Sequence, residues 1–132
     1  MILVDTNILL DVVTDDPVWA DWSIQQLESS SVRGPLMIND VVYAEWSIGY
    51  ERIEMLDDAI AQMGLLLERV PTSALFLAGK AFHAYRASAG AKDGVLPDFF
   101  IGAHAAVLAI PLLTRDVRRY RRYFPTLELI AP

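Results

Sequence analysis

The sequence predicts an α/β domain with a short parallel central sheet and helices on both faces. Short apolar runs, residues 2–4, 36–38 and 111–114, alternate with longer segments of helical periodicity. The first of these runs is continuously apolar, as a strand buried on both faces would be. The 132 residues make one domain, 1–132, long enough to bury roughly two-thirds of its unfolded surface.

The elements follow in order. Residues 2–4 run into Asp5, and Thr6 or Asn7 is placed to cap the helix in NILLDVVT. Asp15-Asp16-Pro17 ends that helix and starts another, with Asp16 as cap and Pro17 at its first position. The second helix is expected to end near Glu28, before a loop at Ser29-Ser30-Ser31 and Gly34-Pro35. Residues 36–38 are the next strand, and Asn39 caps a helix carrying Glu45. Ile53, Leu56, Ile60 and Met63 recur at helical spacing. Thr72 caps a further helix through Ser88, with Gly90 as its stop and a loop over 90–96. Pro97-Asp98 opens a helix whose Gly102, Ala103, Ala105, Ala106 and Ala109 allow close approach to a sheet. A strand at 111–114, a short helix at 117–123 and a strand at 127–129 complete the chain.

Composition narrows the function. Cysteine is absent, which excludes disulfides and thiolate metal sites. Apolar residues make up 54%, yet no run approaches the roughly 20 residues that span a bilayer, so no membrane role is expected. The chain opens on MILVDTN without a basic leader, which predicts no signal peptide and a cytoplasmic location. Net charge is −6 but unevenly spread: residues 1–68 hold 13 acidic and 2 basic side chains, residues 69–132 hold 4 and 9. Five of the eleven basic residues fall between Arg115 and Arg122, which marks either a polyanion contact or a solvated helix face.

Four carboxylates stand out: Asp5 in ILVDTNILL, Glu45 in INDVVYAEW, Asp98 in LPDFFIGAHA and Asp116 in LLTRDVRRY. Asp5 and Asp116 follow expected strands, and functional groups of open parallel sheets collect beyond strand carboxyl ends. Helix capping would account for Asp98 or Asp116 alone, and an exposed helical glutamate for Glu45. Together they would be costly, since two unit charges about 4–5 Å apart repel by roughly 3–4 kcal/mol at an effective dielectric near 20. Such a cluster is partly protonated or holds a metal ion. Two histidines, His83 and His104, are too few for a His-rich site. No phosphate-binding P-loop, G-x-S-x-G or G-x-G-x-x-G pattern is present.

VDTNILL, VVYAEW, LPDFFIGAHA and LLTRD resemble, in order and spacing, the four signature blocks of PIN-domain ribonucleases. More narrowly they look like the VapC-type toxins of toxin–antitoxin pairs. The resemblance implies a PIN-like fold over the whole chain and an acidic metal site of Asp5, Glu45, Asp98 and Asp116. Asn7 and Thr114 match supporting polar positions, whereas His104 is expected to be structural. Oxygen ligands alone suit Mg²⁺ or Mn²⁺. Asp5 and Asp98 are assigned as direct ligands, Asp116 to a second ion or a water-mediated contact, and Glu45 to orienting a water or acting as base. The implied activity is endoribonuclease, with a cognate antitoxin and a homodimer as partners.

Arg115, Arg118, Arg119 and Arg122 at i, i+3, i+4 and i+7 predict one basic helix face for RNA phosphates, opposite Val117, Tyr120 and Phe124. Trp19, Trp22, Trp46, Tyr43 and Tyr50 could stack unpaired bases, pack in the core or form a protein interface. The alternatives are a non-catalytic PIN-like module that binds RNA or protein, and a receiver-like phosphotransfer domain. The second normally needs a basic residue at the end of a late strand, where LLTRD has an acid.

Overall fold

A computed structural model describes residues 1–88 and 96–132. Among them are five strands: β1 (Ile2–Val4), β2 (Leu36–Asn39), β3 (Leu66–Glu68), β4 (Leu112–Leu113) and β5 (Leu129–Ile130). They form one sheet of order β3-β2-β1-β4-β5, with every neighbouring pair parallel. Residues of β1, β2 and β4 are buried throughout, so both faces of the sheet centre are covered. The covering helices are α1 (Thr6–Val13), α2 (Ala20–Arg33), α3 (Asp40–Ser47), α4 (Ile53–Gln62), α5 (Thr72–Ala87), α6 (Leu96–Leu108) and α7 (Arg118–Tyr123). The predicted α/β class holds. No described helix is long and apolar enough to cross a membrane.

Strand order matters for the site. The chain leaves β1 for β2 on one side, while β4 and β5 lie on the other. The carboxyl ends of β1 and β4 therefore flank a switch point, the place where open α/β sheets bind ligands. Asp5 stands there, its backbone N–H donating to the Leu113 carbonyl at 2.9 Å.

Several expected boundaries move. Asp5 itself, not Thr6 or Asn7, caps α1: its Oδ1 accepts from the Thr6 N–H at 2.8 Å. Asp16 closes a turn by accepting from the Val18 and Trp19 N–H groups, each at 2.9 Å, and α2 begins only at Ala20. That helix runs on to Arg33, so the three serines are helical. Buried Ser23, Leu27 and Ser30 form its inner face at i, i+4 and i+7. Asn39 caps α3 as expected, accepting from the Val42 N–H at 2.9 Å. Thr72 is the first helical residue of α5, with Pro71 in the cap position. The three exposed residues of β3 were not anticipated, and β5 starts two residues later than the expected 127–129, overlapping it at Leu129. The expected stop at Gly90 and most of the 90–96 loop lie outside the described residues.

The small residues of α6 do bring helices together, though the partner at Gly102 is α7 and its end. A Cβ on Gly102 would fall 2.5 Å from the Phe124 ring and 3.0 Å from Tyr120. Glycine is therefore what allows α7 to sit against α6, and so Arg119 and Tyr120 against the acids.

Candidate functional site

Asp5 is the best anchored of the acids. It is 4% exposed. Its Oδ2 accepts from the hydroxyls of Thr114 at 2.8 Å and Tyr120 at 2.9 Å, and from Asn7 Nδ2 at 3.3 Å. Asn7 also donates to Thr114 Oγ1 at 3.3 Å, which joins β1 and β4 across the switch point. The supporting positions assigned to Asn7 and Thr114 therefore touch Asp5. Burial pushes the Asp5 carboxyl up to about 6, although the bonds from Thr114, Tyr120 and the Thr6 backbone pull it down. Tyr120 is held well above its ordinary range by burial and by the charges of Asp5 and Asp98, so it stays a proton donor.

Glu45 is turned inward from α3. Thr6 Oγ1 donates to its Oε1 at 2.7 Å. Asp98 projects from the first turn of α6. Asp5, Glu45 and Asp98, with Thr6, Asn7, Leu10 and Ile48, line one cavity of about 290 Å³. Burial and the Asp5 charge push Asp98 up to about 7, Arg119 opposes this, and Glu45 and Asp116 add to it. The four acids thus crowd one another electrically around Asp98.

Asp116 does not line that cavity. Its backbone N–H donates to Thr114 Oγ1 at 3.0 Å, which ties it to the Asp5 network, and the residue lines a second cavity. That cavity, of about 460 Å³, is lined by Tyr85, Ser88, Asp116, Arg118, Arg119, Arg122 and Tyr123. An acidic pocket and a basic, aromatic one lie side by side, sharing the Asp98–Arg119 border.

The predicted basic face needs correction. Helix α7 starts at Arg118, so Arg115 lies before it and is not on one helical face with the others. Arg115 instead grips buried Asp11, with Nε–Oδ2 at 2.6 Å and Nη2–Oδ1 at 2.8 Å. It also covers the Trp19 ring at 5.1 Å from the centroid. Ser23 donates to the same carboxylate at 2.8 Å, and the Arg115 N–H donates to Asn7 Oδ1 at 3.2 Å. Arg115 is a strut holding the loop that carries Asp116, not a free phosphate ligand. Arg119 is ion-paired with Asp98. Arg118 and Arg122 remain exposed along the second cavity. Tyr120 and Phe124 are buried as expected.

The other singled-out side chains divide plainly. Trp46 is in the core. Trp19 and Trp22 pack edge to face, as do Trp46 and Tyr50. His104 is buried against Asn39 at 3.1 Å, and burial lowers its pKa, so it is a neutral structural imidazole. His83 is exposed. Thr6, Asp11 and Tyr120 were missed in the sequence. Each acts across at least 39 residues, which no local spacing reveals.

The donor chemistry, all hard carboxylate oxygen, fits a divalent cation such as Mg²⁺ or Mn²⁺. As placed, no three acids among the described residues stand close enough to share one ion. Thr6 holds Glu45 and Arg119 holds Asp98, and the positive charge in the cluster is that of Arg119.

The comparisons with known proteins place this parallel α/β fold in a family. The pattern of the PIN domain family matches residues 2–125. The chain belongs to that family. A chain in the structure of VapBC2 from Rickettsia felis bound to a promoter DNA fragment is similar at 21% identity and a TM-score of 0.76, with 100% of this chain and 99% of that one covered. A toxin–antitoxin complex from Klebsiella pneumoniae matches at 20% identity and 0.70, covering 98% and 96%. VapBC-1 from nontypeable Haemophilus influenzae matches at 19% identity and 0.71, covering 99% and 98%. At these identities what is shared is the fold. No curated protein sequence matches the chain.

Proposed function

We propose that this chain is a divalent-metal-dependent endoribonuclease and the toxin of a toxin–antitoxin pair. The convergence of Asp5, Glu45 and Asp98 on one cavity at the sheet's switch point, with Asp116 beside it, carries the reading. Asp5 and Asp98 would hold Mg²⁺ or Mn²⁺, with Asp116 contributing directly or through water. A bound ion supplies Lewis-acid polarisation of a phosphodiester and activation of water at neutral pH.

The chain's own residues do the rest. Thr114, Tyr120 and Asn7 fix the Asp5 carboxylate in one orientation, so it is preorganised. Thr6 aims Glu45 into the cavity, where it can accept a proton from the attacking water. Arg118 and Arg122, in the adjoining cavity, bind phosphates of the RNA strand and fix its path without reading bases. Tyr85 and Tyr123 offer ring surface beside them.

Partner binding is supported by the chain's surface and by its relatives. Ile48, Ile53, Phe76 and Val32 are exposed apolar side chains of the kind protein partners cover. The similar structure from Klebsiella pneumoniae is a toxin–antitoxin complex. A cognate antitoxin and a second copy of this chain are the proposed partners.

The test is cleavage of a labelled single-stranded RNA by the wild type and by Asp98→Asn, in Mg²⁺ and in chelator. Cleavage that needs metal and is lost in the folded variant supports the reading. RNA binding without cleavage under any metal condition would leave a non-catalytic module instead.

A further inference from the structure

Among the described residues three ion pairs form, and one of them involves the four-acid set: Arg119 with Asp98. Arg119 comes from the first turn of α7. The next residue, Tyr120, is buried and bonded to Asp5, so the helix is fixed where it delivers Arg119 to the acids. The Arg119 guanidinium also lies 5.7 Å from the centroid of Tyr85. That ring is itself wedged by Phe82, Phe99 and Tyr123. The guanidinium therefore rests between a carboxylate of the acidic pocket and an aromatic wall of the basic cavity.

The two arginines of the site differ in kind. Arg115 makes two bonds to a carboxylate whose side chain is 3% exposed and which Ser23 also holds. Arg119 and Asp98 are 24% and 28% exposed, and Asp98 faces three other acids that attract a cation. A divalent ion drawn to those acids must meet Asp98 while a positive guanidinium occupies it. Like charges in contact across so short a span repel strongly. Arg119 also lines the neighbouring cavity, where with Arg118 and Arg122 it gathers positive charge suited to a phosphate.

We propose that Arg119 is an exchangeable counter-ion: it neutralises Asp98 until a divalent cation binds, then turns to a phosphate of the RNA in the neighbouring cavity. The inference rests on reading the acids as a metal site. Its consequence is coupling. Metal frees Arg119 for RNA, and RNA that captures Arg119 clears Asp98 for metal. By linkage each ligand tightens the other by the same factor.

The experiment has two arms. Mn²⁺ is titrated calorimetrically into wild type, Arg119→Ala, Arg119→Lys, Arg118→Ala and Asp98→Asn without RNA, with circular dichroism confirming the fold of each. A fluorescein-labelled 2′-O-methyl oligoribonucleotide is then titrated with and without Mn²⁺. Arg119→Ala should bind Mn²⁺ about tenfold more tightly than wild type. Arg119→Lys, which keeps the charge, should fall between them, and Arg118→Ala should match wild type. Mn²⁺ should tighten RNA binding about tenfold in wild type and less than twofold in Arg119→Ala. Unchanged Mn²⁺ affinity in Arg119→Ala overturns the proposal. So does an equal gain in Arg118→Ala, which would be general electrostatics, or equal coupling in wild type and Arg119→Ala. If wild type binds no Mn²⁺, or Asp98→Asn binds it as well as wild type, the metal reading itself fails and this inference with it.

Discussion

Moving from acid to neutral pH in the presence of chelator should destabilise this protein through Asp5. The carboxyl titrates near 3.8 ordinarily and at about 6 in the fold, chiefly because it is buried. A folded-state pKa raised above the unfolded one means that the unfolded chain releases its proton first. The contribution to stability is complete below about pH 3.8 and is lost as pH rises through about 6. The full loss is about 3 kcal/mol, of which about 2 falls between pH 4.5 and 7.5. With an unfolding entropy of about 2.1 cal/mol/K per residue, 2 kcal/mol in a chain of this length is about 7 °C in Tm. His104 works the other way: burial depresses its pKa, so its contribution grows as pH rises toward 6.5. Comparison with Asp5→Asn removes this and the other contributions that do not depend on the Asp5 charge. Asp98, which that charge helps push up to about 7, changes with it in the same direction and adds to the difference. Asparagine retains an oxygen to cap α1 at the Thr6 N–H. Thermal melts of both proteins in chelator at pH 4.5 and 7.5 should show the wild type losing at least about 7 °C more than the variant. Millimolar Mn²⁺ at pH 7.5 should recover that loss in wild type by mass action. Parallel pH curves, or a wild type that gains on the variant as pH rises, would refute the claim that burial raises Asp5.

Four further outcomes follow from the contacts. Asp11→Ala should cost about 3 kcal/mol, because it leaves Arg115 without the carboxylate it grips, and denaturant melts would read it. Gly102→Ala should cost about 1–3 kcal/mol by pushing Phe124 and Tyr120 off α6, and cleavage should fall with it as the Tyr120 hydroxyl is drawn off Asp5. Tyr120→Phe removes the hydroxyl bonded to Asp5 while filling the same space, so it should raise the Asp5 pKa further, seen by carboxyl NMR titration as an upward shift. Arg118→Ala with Arg122→Ala should weaken RNA binding for all sequences alike. It should also lower the salt slope by roughly 0.7 per lost contact on single strands, measured by anisotropy at several salt concentrations.

What was legible in the sequence was what depends on local pattern. The apolar run ending at Asp5, the Asn39 cap and the small-residue helix after Asp98 each carry their signal within a few residues. They were enough for a parallel sheet with acids at its strand ends. The basic face failed where a spacing was taken for a helix: i, i+3, i+4, i+7 counts only if Arg115 is helical, and α7 begins at Arg118. The partner that claims Arg115 is Asp11, 104 positions away. Tyr120 was placed correctly on an apolar face, but its bond to Asp5 spans 115 positions and no periodicity encodes it. The serine run was read by composition as a loop, although Ser23, Leu27 and Ser30 already had helical spacing. Strand β3 was missed although the apolar run Leu65-Leu66-Leu67 after Gly64 marks it; in the fold its own three residues are exposed at the sheet edge.

Diffraction from a crystal soaked in Mn²⁺, recorded for its anomalous signal, tests the central claim most directly. The account predicts a peak in the cavity of Asp5, Glu45 and Asp98, with carboxylate oxygens of Asp5 and Asp98 about 2.1 Å from it and Arg119 turned away from Asp98. A saturating soak with no peak at these acids, or with one bound only elsewhere on the chain, would contradict it.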